Sequence, residues 1–398
     1  MRESHSGRVF VDVTSAAGQV LLTGVQRVVR SLAGELRRKY GNEPLFAIWS
    51  ERSQSYYRLR PIEESRLLRI FEKGWHRSPR GERIARLWRR RRLYWTSVRK
   101  TDRIQIEGEE IGEVWIPEIF SDGRASWWSE CLGREREWRS TAFFHDALTL
   151  LNPEWSSSRR RDRFTDYLRT LASFDRVVSP SRTSADALKD FWGETSEEAK
   201  EVLVEAWPVS FQGKRQFSDL RIDRPSVLSV GTIEPRKNHL ALLDAFTRIG
   251  KSGLKVRLHL IGRPVYPHAT EVIAKFRQVR ESGVELLWQE RASDDELVAA
   301  YRSSWFTVYP SLAEGYGLPI DESLWHGCPV ICSNDGAIGE RAGHGGCFPT
   351  EVADAEAIAV AAERLLTERE TLVRLIRQAR QRTFGTWESF VNKLLVSD

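Results

Sequence analysis

The chain has 398 residues, 41% of them hydrophobic and 29% charged, and a formal net charge of +6. That length exceeds one compact core and suits two domains, and the composition both fills a core and keeps the chain soluble. No apolar run approaches the roughly 18 residues of a membrane-spanning helix, and the N-terminal MRESHSGRVFVDV lacks the apolar stretch of a secretory signal.

The first half opens on a strand, RVFVDV (8–13), then a glycine-containing loop, SAAGQVLLTG (15–24), and a helical segment, VQRVVRSLAGELRRKY (25–40). Residues 77–100 hold ten Lys and Arg and one acidic residue, with Ile84, Leu87, Trp88 and Trp95 able to share one helical face. Such an arm suits an anionic membrane surface, a solvated segment or, less readily, nucleic acid. STAFFHDA (140–147) and SFDRVVSPS (173–181) read as strands, and SADALKDFWG (184–193) as a helix. Residues 1–220 carry 39 Lys and Arg against 32 Asp and Glu, the remainder 22 against 23, so the first half meets anions more readily. Several of the 15 tryptophans lie beside arginines in this half, which suits a membrane-interface or sugar-contacting surface as well as an ordinary core.

A linker is expected near 208–225, giving domains at 1–215 and 222–385. Beyond it, strands at 226–230, 256–261, 284–288, 305–310 and 329–333 alternate with helices at 239–249, 269–280, 294–302 and 318–327. This alternation predicts parallel βαβ units in a doubly wound sheet, with ligands at the carboxyl ends of the strands. The terminal helix 386–398 is expected to pack back on the first domain. The four cysteines form no CxxC pair and read as reduced thiols, three of them in or near a core.

Two segments carry chemistry. In SLAEGYGLPIDESLWHG (311–327), Glu314 ends a loop, Gly315 and Gly317 leave amides unshielded, and a helix starts near Leu318–Pro319 with Glu322 one turn in. A two-glycine loop at a helix N-terminus attracts anions, and two carboxylates in one crevice suit sugar and ribose hydroxyls. The plainer alternative is a helix cap and a surface glutamate. In VGTIEPRKNHLALL (230–243), a strand ends at Gly231 and Arg236 and Lys237 precede a helix beginning near Asn238. The helix dipole disfavours cations there, so they suit a phosphate; two solvated cations are the plainer alternative.

Together these segments resemble the retaining family 4 glycosyltransferases of the GT-B fold, in which two Rossmann-like domains face a central cleft. Glu314-GYGLPID-Glu322 is similar to the family's Glu-x7-Glu motif, Gly231 through Asn238 to its G-x4-R-K-N motif, and HGCPVICSNDGAIGE (326–340) to its GxPVIxS stretch. Tyr316 replaces the usual Phe, and Asp321–Glu322–Ser323 stands where the family often has x-Glu-Ala. DVT (12–14), TGVQRVVR (23–30), FFHDALTLLNPEW (143–155) and DRVVSPSRTSADAL (175–188) resemble bacterial O-antigen and exopolysaccharide transferases, many of them mannosyltransferases.

The resemblance implies that Arg236 and Lys237 neutralise a departing diphosphate, that Glu314 holds the donor sugar and that Glu322 holds the ribose. Gly315, Tyr316, Gly317 and Leu318 would present amides. His145 would face the donor sugar, and Gly24 would let a loop approach the diphosphate. Asp12, Gln26, Arg27 and Asp146 would lie on the acceptor side. The implied activity is a retaining transfer of a hexose, mannose from GDP-mannose foremost, to a polysaccharide or lipid-linked glycan. Domain closure would exclude water. Other donors (UDP-glucose, GDP-fucose, a dTDP-sugar) stay open, as does a non-catalytic nucleotide-sugar or nucleic-acid binder. Loops near 262–266 and 289–296 would read the base. No D-x-D triplet occurs, so no metal and no cofactor beyond the donor co-substrate are expected. The expected location is cytoplasmic, with a peripheral place on the inner face of the cell membrane left open. A dehydrogenase is disfavoured because no G-x-G-x-x-G follows either leading strand.

Overall fold

A computed structural model describes residues 7–18, 23–69, 103–106, 109–195, 200–209, 215–217 and 225–396. The basic arm at 77–100 lies outside the described residues, as does part of the 15–24 loop. The chain divides into two compact units, Met1–Ser210 with Gly385–Asp398, and Phe211–Phe384.

The first unit holds strands β1 (Arg8–Asp12), β2 (Leu45–Ser50), β3 (Ser55–Arg58), β4 (Ile111–Ile116), β5 (Arg139–Phe143), β6 (Arg176–Ser179) and β7 (Val202–Val204). Their order is β3-β2-β1-β4-β5-β6-β7, parallel throughout except for the antiparallel edge strand β3. Helices α1 (Thr14–Gly18), α2 (Gly24–Tyr40), α3 (Pro61–Arg69), α4 (Arg124–Leu132), α5 (Leu148–Leu151), α6 (Ser158–Leu171) and α7 (Arg182–Thr195) connect them. Central strands such as β1 and β5 are buried along nearly their whole length, as strands covered on both faces must be.

Among the described residues, the first-half tryptophans are mostly core residues rather than a surface. Trp49, Trp115, Trp128, Trp138, Trp192 and Trp207 are buried. Trp49, Trp127 and Trp128 pack edge-on or tilted around Tyr56 and Phe10 at centroid distances of 5.1–6.1 Å.

The second unit holds β8 (Ser226–Val230), β9 (Arg257–Ile261), β10 (Glu285–Gln289), β11 (Phe306–Tyr309), β12 (Val330–Cys332) and β13 (Cys347–Pro349), in the order β10-β9-β8-β11-β12-β13, all parallel. Its helices are α8 (His239–Lys251), α9 (His268–Glu281), α10 (Asp294–Ser303), α11 (Leu318–Trp325), α12 (Gly336–Ala342), α13 (Ala355–Thr367) and α14 (Arg369–Gln381). The order reverses between β8 and β11, which opens a crevice at their carboxyl ends.

Arg215 locks two helix ends of this unit. Its guanidinium donates to the carbonyls of Leu324, Trp325, Ala379, Arg380 and Arg382 at 2.6–3.0 Å, meeting the C-terminal carbonyls that α11 and α14 leave unpaired. The last helix, α15 (Trp387–Val396), returns to the first unit: Phe390 packs on Phe143 and Trp207, and Arg176 donates to the Leu394 carbonyl at 2.7 Å. All four cysteines are buried free thiols. No helix among the described residues is long and apolar enough to cross a membrane.

Candidate functional site

The site grows from the ends of β8 and β11. After β8 the chain passes Gly231 and makes a 3-10 turn at Pro235–Lys237, where the proline's fixed φ starts the turn. Asn238 follows in the left-handed region at φ 47°, a conformation asparagine tolerates, and its amide donates to the Val352 carbonyl at 2.7 Å. The turn thus aims Arg236 and Lys237 toward β11. The loop leaving β11 is stitched to it: Leu312 N donates to the Arg236 carbonyl at 2.8 Å.

Glu314 closes the cluster. Its carboxylate accepts from Arg236 and from Ser311 Oγ, each at 2.5 Å, and from Lys237 Nζ. Lys237 also donates to the Tyr309 hydroxyl at 2.6 Å, and Arg236 pairs with Glu234 at 2.8 Å. The two cations are therefore not solvated surface charges. They meet two of the protein's own carboxylates, and Lys237 is only 7% exposed. Burial alone would push the Glu314 carboxyl up, but Lys237 and Arg236 outweigh it and hold it at about 2. Burial lowers the Lys237 ammonium despite Glu314, with Arg236 adding to the fall.

Beside this cluster lies the start of α11. Gly317 caps it at φ 96°, where only glycine is at ease, and Pro319 sits in the first turn. Tyr316 is a buried tether. It donates to Asp321 at 2.6 Å, and Arg341 binds the same carboxylate at 2.8 Å while lying 4.9 Å from the tyrosine ring. Gly315 and Leu318 thus take their places from a loop pinned to its own helix. Glu322 is buried rather than a surface residue, and accepts from Tyr301 of α10 at 3.1 Å.

Residues 211–382 match the family described as Glycosyl transferases group 1. The second unit is a group 1 glycosyltransferase domain. The chain is 28% identical over 204 residues to the serotype-specific mannosyltransferase WbdA of Escherichia coli, covering 47% of this chain and 25% of that protein. It is 35% identical over 121 residues to the O-antigen chain mannosyltransferase B of Escherichia coli, covering 30% of this chain and 31% of that protein. The chain thus spans about a quarter to a third of the length of these curated relatives. Among solved structures, Anabaena HepE in complex with UDP superposes with a TM-score of 0.62 at 16% identity, over 98% of this chain and 99% of that one. The two units have the GT-B fold.

The glycosyltransferase domain gathers Arg236, Lys237 and Glu314 into one hydrogen-bonded cluster, and Gly231 adjoins it: a Cβ there would lie 3.5 Å from the Lys237 chain. Three partners of this cluster and one neighbouring glycine went unread in the sequence. Glu234 and Ser311 lie within the segments already quoted and Tyr309 just before one, but none has a distinguishing spacing. The glycine is Gly262: a Cβ there would lie 1.7 Å from the Gly231 carbonyl oxygen, so the ends of β8 and β9 can approach this closely only at glycine. Among the described residues no group of three or more His, Cys, Asp or Glu stands at metal-holding distance.

The remaining candidates sit at the carboxyl edge of the first sheet. His145, just after β5, is 5% exposed; its Nε2 donates to the Pro117 carbonyl at 2.8 Å, and burial lowers the ring to about 4, leaving Nδ1 an acceptor. Asp146 caps α5 through Leu148 N at 3.2 Å. Gly24 is exposed at the start of α2, with Arg27 half-buried in its first turn. Gln26 is buried and serves the α2 capping box, accepting from Thr23 N at 3.1 Å.

Asp12, the last acceptor-side candidate, ends β1. It is fully buried, and its oxygens accept from Thr14 N (2.9 Å) and Oγ1 (2.5 Å), Tyr56 OH (2.9 Å) and Arg124 (2.9 Å). Those four bonds saturate the carboxylate, so it anchors the turn after β1. Glu118, unread in the sequence, lies beside it and accepts from the first amides of α1 at 2.6 and 2.7 Å. Burial, and then Asp12, raise Glu118 to about 7 against the opposing pull of Arg124. A carboxylate two residues past a strand end, in IPE (116–118), was its one sequence signal.

Proposed function

We propose that the chain is a retaining hexosyltransferase that moves mannose from GDP-mannose to a growing polysaccharide or a lipid-linked glycan. The observation that carries the reading is the cluster at the β8–β11 crevice, where Arg236, Lys237 and Glu314 converge beside the amide-bearing start of α11. The choice of mannose rests on the relatives, two of which are named as mannosyltransferases of serotype-determining or O-antigen chains.

In this reading the donor diphosphate competes with Glu314 and Glu234 for the two cations. Arg236 and Lys237 exchange part of their carboxylate pairing for phosphate oxygens, and Glu314, released, turns to the sugar hydroxyls. Glu322 serves the ribose, and His145, neutral, offers Nδ1 as an acceptor to a sugar hydroxyl. The bond from the anomeric carbon to the phosphate oxygen breaks while a bond to the acceptor oxygen forms on the same face. The acceptor's proton passes to the leaving phosphate. The cations carry the charge that a divalent metal carries elsewhere, so turnover proceeds without one.

A thermal-shift panel of GDP, UDP and dTDP tests the base. A ligand at about 100 times its Kd stabilises by roughly 2.7 kcal/mol, so GDP should raise Tm most. A larger response to UDP or dTDP reassigns the donor, and no response to any removes the nucleotide-sugar reading. GDP-mannose turnover should be unchanged by a chelator; a strict Mg or Mn requirement refutes the metal-independent mechanism.

A further inference from the structure

The segment that follows His145 and Asp146 rests Leu150 on the core but turns two large apolar side chains outward. Helix α5 contributes no buried residue, Leu151 is 53% exposed, and Trp155, on the 3-10 turn Pro153–Trp155, is 38% exposed. This contrasts with the buried tryptophans of the same unit. The turn is braced from behind: Arg161 donates to the carbonyls of Pro153 at 3.0 Å and Ser156 at 2.7 Å. Directly after it, α6 begins with arginines and no acid in its first turn, against the preference of the helix dipole. Arg159, Arg160 and Arg163 are exposed and form no ion pair with any described residue. Residues 148–163 hold four arginines against Glu154 and Asp162.

Exposed leucine and tryptophan followed within a few residues by uncompensated arginines match the apolar-then-anionic profile of a lipid headgroup layer, where tryptophan sits at the boundary and cations sit among phosphates. A soluble acidic protein would satisfy the arginines and leave Leu151 and Trp155 without a reason to face outward. We propose that Leu151, Trp155, Arg159, Arg160 and Arg163 form a docking surface for an anionic bilayer, holding the carboxyl edge of the first sheet against the lipid. The surface is separate in sequence from the basic stretch at 77–100 and does not depend on the glycosyltransferase reading, since binding is measured without turnover.

The test uses the full chain with vesicles of phosphatidylcholine alone or mixed with phosphatidylglycerol. Because all four native cysteines are buried, Glu154→Cys carries an environment-sensitive fluorophore at the surface itself. Anionic vesicles should blue-shift that probe and neutral vesicles should not. Replacing Arg159, Arg160 and Arg163 with Gln should weaken partitioning roughly fivefold per residue, on the order of a hundredfold in all. Trp155→Ser should weaken it with Tm unchanged. Co-flotation without a blue shift at position 154 would assign binding to another surface and overturn the proposal. So would wild-type partitioning in the triple variant. Equal binding to a polynucleotide, insensitive to Trp155→Ser, would mark a general polyanion surface and overturn it as well.

Discussion

Lys237 shows how one buried cation is held ready. Its ammonium has the Tyr309 hydroxyl on one side and Glu314 on the other, and neither partner is near it in sequence. Lys237→Ala should lower kcat/KM roughly 10- to 150-fold, the usual ~1.5–3 kcal/mol of a hydrogen bond to a charged group. Lys237→Arg should not rescue it, because a planar guanidinium does not fit the enclosed space between Tyr309 and Glu314. Tyr309→Phe keeps the ring and removes one acceptor, so kcat/KM should fall about tenfold while Tm changes little. Steady-state kinetics on purified variants decide both, and wild-type values for either would remove that residue from the site. The motif spacing named Arg236, Lys237 and Glu314 from sequence. It did not reveal that Glu314 already pairs with both cations, because that pairing crosses from one βα loop to another.

At the scale of elements, two glycines that look equivalent in sequence differ in what they allow. Gly231 and Gly262 end adjacent parallel strands, β8 and β9. A Cβ at Gly231 makes ordinary contact with Lys237, whereas one at Gly262 collides with the Gly231 backbone. Gly262→Ala should therefore destabilise by about 1–3 kcal/mol, as overpacking does, with a lowered midpoint in urea. Gly231→Ala should melt within a degree or two of wild type yet weaken donor binding. Equal midpoints for the two variants would contradict the geometry. Strand periodicity made β8 to β12 legible, since each is a short apolar run between helical patterns. It missed β2, because LFAIWS is buried throughout without alternation, and a short apolar run does not separate strand from helix. It missed β4 because IGEVWI carries Glu113, which the fold buries and pairs with Arg139 at 3.1 Å.

Across the whole molecule, buried histidines set the response to acid. Burial lowers His145 to about 4 and His239 to about 3 from an ordinary 6.5. Both folded values lie below the unfolded value, so the unfolded chain takes up protons first as pH falls. The stability they protect is complete above 6.5 and is lost progressively toward 4 and 3. At about pH 5 each should cost about 2 kcal/mol. Tm should fall between pH 8 and pH 5, and His145→Asn or His239→Asn should flatten that fall; a wild-type Tm level across the range would sink the prediction. The sequence by itself determined the βαβ series of the second unit, the residues at its strand ends and the family they resemble, because periodicity and motif spacing are local properties of the chain. Only the tertiary structure decided which charges meet. Glu314 finds Arg236 and Lys237 some 77 positions earlier because β11 lies beside β8 in the sheet, and Asp12 is sealed because β3 and α4 bring Tyr56 and Arg124 onto it. Strand order is set by packing of whole elements across long connections, and no local pattern encodes it.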